Sequence, residues 1–149
     1  MKTAQWRSTI ALLCCCVAIG VPSGFAQVSG EKFTVASGKG LTMSKTTRAE
    51  DFNLYDLMLN GRFVARLYEG DNPDFQYDKA VDKPRTISAK TTLLSTHRTS
   101  VGKGFKRDHL VEFSGCDGFC TIHVWYDGVT ASEADRIDAF VRGIRRKNR

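Results

Sequence analysis

The stretch from Asp51 to Gly70, DFNLYDLMLNGRFVARLYEG, constrains the fold more than any other. Asn60-Gly61 separates two runs of strand-forming and aromatic residues, and both accept the positive φ that a two-residue type I′ turn requires. Leu and Met also suit a helix, but the Asn-Gly step and the aromatic content favour a hairpin. An unbroken register from this turn pairs Leu59 with Arg62, Met58 with Phe63, Leu57 with Val64, Tyr55 with Arg66 and Leu54 with Leu67. One face then carries Leu54, Met58, Phe63 and Leu67. The other carries Tyr55, Leu57, Val64, Arg66 and Tyr68, with a surface cation–π contact expected between Tyr55 and Arg66.

The rest of the chain repeats the theme of short strands. Phe33, Val35, Leu41 and Met43 alternate with polar residues around a break at Ser37 to Gly40, giving two strands and a turn. Thr46 to Asp51 is polar and predicts a loop. RTISAKTTLLSTHRTSVG, from Arg85, predicts one long strand or two, before Gly102-Lys103-Gly104 turns the chain into FKRDHLVEF. Neither this triplet nor Gly38-Lys39-Gly40 is a phosphate loop, which needs four residues between its glycines and Ser or Thr after Lys.

The chain ends on a helix signal. Thr130 with Glu133 makes a capping box, with Ser132 and Asp135 as an alternative frame. Ala134, Ile137, Val141 and Ile144 recur at helical spacing, with Phe140 beside them. Strands first and a helix last predict an α+β fold. Its antiparallel sheet has about 5–7 strands, with hairpins at Asn60-Gly61 and Cys116-Cys120, and the amphipathic C-terminal helix packs on one face.

The N-terminus reads as a secretory signal. Lys2 and Arg7 precede an apolar run from Ile10 to Val21, and small residues at Gly24 and Ala26 suit cleavage after Ala26. The run is shorter than the ~20 residues that span a bilayer, so no transmembrane segment is expected after cleavage. Cys14, Cys15 and Cys16 lie inside the run, where lipidation is disfavoured. Residues 27–149 then form a single small domain with a basic C-terminal tail. Without Lys2 and Arg7 it keeps 20 basic against 16 acidic side chains, a net +4. Five of those basic residues fall in Arg142 to Arg149. Export, to the periplasm or the exterior, argues against nucleic acid as a partner and for a protein or an anionic envelope component.

In SGCDGFCTIHVWYDG, the remaining cysteines predict a disulfide between Cys116 and Cys120 in an oxidising compartment. Thioredoxin-like chemistry needs Cys-x-x-Cys at a helix start, and a zinc site needs two further ligands at finger spacing. A three-residue loop places Cys116 opposite Cys120, Phe113 opposite His123, Val111 opposite Trp125 and His109 opposite Asp127. His109 and His123 then share one face, about 13 Å apart at ~3.3 Å per residue, too far for one metal ion. The acidic loop from Gly70 to Pro84 carries Asp71, Asp74, Asp78 and Asp82 but lacks the calcium-loop pattern. No metal and no cofactor are expected.

These residues favour a non-enzymatic binding or accessory module of the cell envelope. Its candidate partner surface comprises Trp125, His123, His109, Asp71, Asp74 and Asp78. One alternative is an inhibitor or immunity-type protein that blocks an extracytoplasmic enzyme through the acidic loop. The other is a small hydrolase using His109 or His123, with His109–Asp127 as an oriented base and Ser100 or Ser114 as nucleophile. Neither serine sits in a Gly-x-Ser-x-Gly elbow.

Overall fold

Asn60 and Gly61 have φ of 51° and 80°, the pair of positive values that the turn demands. They join β4 (Phe52–Leu59) to β5 (Arg62–Gly70). The computed structural model describes residues 27–36, 38–76, 81–117 and 120–147; the expected signal segment and Asp78 lie outside the described residues. The first two hairpin pairs are Leu59–Arg62 and Met58–Phe63, after which a bulge puts Leu57 opposite Ala65 and Tyr55 opposite Leu67.

This corrects the unbroken register, and the reason is burial. Asn53, Tyr55, Leu57 and Leu59 are the buried face of β4. Without the bulge that face would oppose Arg62, Val64, Arg66 and Tyr68. With it, Ala65, Leu67 and Glu69 turn inward, and Arg66 turns out to meet Asp56 at 3.0 Å. A one-residue slip exchanges the faces. Tyr55 is therefore buried rather than set against Arg66, and it gives its hydroxyl proton to Glu69 at 2.7 Å.

Ahead of the hairpin run β1 (Gln27–Ser29), β2 (Phe33–Ala36) and β3 (Leu41–Arg48). β3 extends through Thr46 to Arg48, where a loop was expected. It is an edge strand, so its ladder to β4 tolerates exposed polar residues. After it come β6 (Arg85–Ser88), β7 (Thr91–Ser95), β8 (Thr99–Val101), β9 (Gly104–Phe113), β10 (Thr121–Val129), α1 (Ala131–Arg142) and β11 (Arg145–Arg146). The larger sheet has the order β3-β4-β5-β10-β9-β7-β6, with β8 on β9, and the smaller has the order β1-β2-β11. All pairings described are antiparallel. The described residues thus form 11 strands rather than about 5–7, because several strands are only two to four residues long.

The helix forms as expected. Thr130 and Glu133 complete both halves of the capping box, and Ala134, Ile137, Phe140, Val141 and Ile144 are buried. They join Leu57, Leu67, Val111, Val124 and Tyr126 in one apolar core. As far as Lys147, the last described residue, the backbone of the basic end is tied to β2 and the turn before it. Arg145 and Arg146 pair with Thr34 and Phe33, and Lys147 N–H donates to Lys32 C=O at 2.8 Å.

The β9–β10 hairpin departs most from expectation. Val111 opposes Ile122, His109 opposes Val124, and Phe113 N–H donates to Cys120 C=O at 2.8 Å. Cys116 therefore belongs to the loop beyond the ladder and is not a cross-strand neighbour of Cys120. This register lets Val111, Phe113, Ile122, Val124 and Tyr126 all enter the core, which the expected one would have split between faces. The two cysteines still lie at disulfide-bonding distance, with Cα atoms 5.8 Å apart.

Candidate functional site

Side chains alternate along β10. Ile122, Val124 and Tyr126 face the core, so His123 and Trp125 fall on the outer face of the sheet. There His123 and Trp125 have ring centroids 4.8 Å apart. Asp108, on the neighbouring strand, reaches His123 Nε2 at 3.2 Å. Phe75 comes up from the acidic loop and meets His123 edge-on at 5.8 Å. Phe75 and Leu110 are both buried yet outside the main core, and through Phe75 the loop packs against His123 on this face.

The result is an open groove of about 340 Å³, lined by Tyr68, Asp74, Gln76, Asp108, His123 and Trp125 among others. Of the residues singled out in the sequence, Trp125, His123 and Asp74 meet here. Asp71 instead accepts from Cys120 N–H at 2.9 Å, tying the loop to the cysteine turn. Asp78 lies outside the described residues. Asn72 N–H donates to the Tyr68 hydroxyl at 3.3 Å. Further along the loop, Val81 bridges Thr96 and Asp82 ion-pairs with Arg107. The described parts of the loop are thus fastened to the sheet.

His109 is elsewhere. It is 1% exposed, on the inner face, and its partner is Asp138 of α1 rather than Asp127, which is exposed. Its Nε2 lies 3.1 Å from Asp138 Oδ1 and its Nδ1 lies 2.8 Å from Ser95 Oγ. Ser95 opposes His109 in the β7–β9 register, so the hydroxyl beside this histidine is neither Ser100 nor Ser114. Asp138 also accepts from the Tyr126 hydroxyl at 3.1 Å, from Arg98 at 2.8 Å and from Arg107 at 2.6 Å.

The electrostatics follow from these contacts. Burial lowers the His109 pKa, outweighing the pull of Asp138, and the Arg107 charge adds to the lowering. A neutral ring that donates from Nε2 to Asp138 presents Nδ1 as an acceptor for the Ser95 proton. Burial acts to raise the Asp138 carboxyl, but His109, Arg98 and Arg107 overcome it and hold the carboxyl well below the usual range. Burial and Asp138 together push the Tyr126 phenol upward.

Asp138, Ser95, Arg98 and Arg107 were not singled out by their sequence context. Asp138 does leave a trace: it sits four residues after Ala134 and three before Val141, inside the apolar stripe. A carboxylate on that stripe must find buried donors.

Among the described residues, no helix is long and apolar enough to cross a membrane, and no three His, Cys, Asp or Glu side chains group as a metal site. Comparison of the chain with protein-family models, with curated protein sequences and with solved structures found no match in any of the three.

Proposed function

We propose that the chain is a small exported, non-enzymatic binding module of the cell envelope that takes a basic segment of a protein partner into its outer groove. The observation that carries this reading is the groove's composition. Tyr68, His123 and Trp125 supply ring surface and Asp74 supplies a carboxylate, beside Asp108, which already engages His123; among the described lining residues there is no Lys or Arg. This acidic, aromatic patch belongs to a chain that carries net positive charge. Ring faces beside carboxylates suit a guanidinium or ammonium group through cation–π and ionic contacts. The signal-like N-terminus and a cysteine pair at disulfide distance support export.

The test is paired capture from envelope extract by the wild-type chain and by Trp125→Ala, which keeps the core intact. A partner enriched by the wild type and lost with Trp125→Ala is the expected result. Equal recovery by both would remove the groove from the reading.

Ser95, His109 and Asp138 favour a second reading, a small hydrolase, because a neutral imidazole is placed to take a serine proton. It stands second on electrostatic grounds. Arg98 and Arg107 already neutralise Asp138, which leaves little of its charge to stabilise an imidazolium. Ester turnover abolished by Ser95→Ala would promote this reading; turnover unchanged by that substitution would eliminate it.

A further inference from the structure

A second cleft, of about 190 Å³, opens beside the last turn of α1, where that helix faces β6, β7 and β9. Its polar floor includes Ser95 and His109, and its walls carry Lys83, Arg85, Arg107 and Arg142. Asp82 and Asp138 also line it, and Arg107 engages both of them. Four cations thus face two carboxylates, an excess of two positive charges while His109 is neutral. Among the described residues, no carboxylate forms an ion pair with Lys83, Arg85 or Arg142. Arg107 is fixed, since Thr96 C=O accepts from it at 2.8 Å while the two aspartates hold its other nitrogens.

Like charges gathered round one small concavity raise one another's energy, and an anion between them lowers it. The arrangement also selects the kind of anion. A single arginine fork can satisfy a planar carboxylate. Here the uncommitted cations come from separate elements, Lys83 and Arg85 from the approach to β6 and its first residue and Arg142 from α1. Donors converging from several directions suit a tetrahedral group with acceptors on every side.

We propose that this cleft binds a phosphate monoester dianion, carried either on a small soluble molecule or on a lipid headgroup. This site is separate from the outer groove and does not depend on the reading given for it. Lys83, Arg85 and Arg142 supply the ionic contacts, and Arg107 supplies a fixed positive wall.

The proposal is tested by calorimetric titration of the full chain with inorganic phosphate at fixed ionic strength, against chloride as control. Arg85→Ala, Arg142→Ala and the double variant are compared. Both arginines are exposed, so the variants should keep the wild-type melting temperature, which is measured alongside. Saturable binding of phosphate but not chloride is expected, weakened about tenfold or more by each single substitution, the loss of one charge-assisted contact. Co-sedimentation with phosphatidic acid vesicles but not phosphatidylcholine vesicles, abolished in the double variant, assigns the anion to a lipid headgroup. Phosphate binding without sedimentation assigns it to a soluble molecule. Binding neither to phosphate nor to phosphatidic acid overturns the proposal, as does binding that is the same in the double variant.

Discussion

Two buried carboxylates organise this molecule residue by residue. Glu69, fully buried on β5, accepts from the Tyr55 hydroxyl at 2.7 Å, Asn53 at 3.2 Å, and the backbone N–H groups of Lys32 at 2.7 Å and Glu31 at 3.1 Å. It thereby pins the β1–β2 turn to the main sheet. Asp138 does the same for α1, through His109, Tyr126, Arg98 and Arg107. Removing one partner of a buried charged network strands the others without compensation. Asp138→Asn is therefore expected to cost about 3–5 kcal/mol, read from urea unfolding. The pH dependence has a definite sign. The Asp138 carboxyl is held below its ordinary value, so its stabilisation is present above about pH 4 and is lost as pH falls from there through the folded-state value. Wild-type melting temperature should drop across that window, and Asp138→Asn should lack that part of the drop. At this scale the sequence was least legible. Aspartate on a surface helix ordinarily reads as solvated, and only its place in the Ala134–Val141 stripe marks it as buried.

At the scale of elements, signals that are local in the chain came through and those set by packing did not. The Asn60-Gly61 turn and the Thr130–Glu133 capping box are each decided within a few residues, and both formed as read. Thr130→Ala should accordingly cost about 1 kcal/mol, seen as a lower urea midpoint with an unchanged slope. Registers were another matter. The bulge in β5 is set by where Arg66 and Glu69 must end up, and turn chemistry contains no trace of that. The β9–β10 register is likewise set by five core side chains and not by the cysteine spacing. A misplaced register reverses every face beyond it, which is why His109 and His123 were expected together and lie on opposite faces. Gly104 shows the same dependence on packing: a Cβ there would lie 2.5 Å from the Gly128 carbonyl carbon, so two strands approach closely where sequence shows only a turn.

For the whole molecule, a mostly antiparallel sheet structure closed by one short helix was legible because order along the chain decides it: strands, then one terminal helix. The two-sided use of the main sheet was not. One face packs α1 and a polar network, and the other carries the aromatic groove under the acidic loop. The proposed export makes a prediction of its own. Protein recovered from the periplasm should begin at Gln27 and be lighter by one pair of hydrogens than its reduced form, with Cys116 joined to Cys120. Free thiols at both positions would remove the cysteine pair as support for export.

The central claim, that the outer groove receives a basic side chain, has a built-in reporter. Trp125 is the only tryptophan from residue 27 onward. Its emission is to be followed while the chain is titrated at physiological salt with a short arginine-rich peptide and, separately, with a glutamate-rich peptide of equal length. The account predicts a saturable change in Trp125 emission with the arginine peptide alone, because the ring is one wall of the groove. No saturable change, or the same change with both peptides, would contradict it.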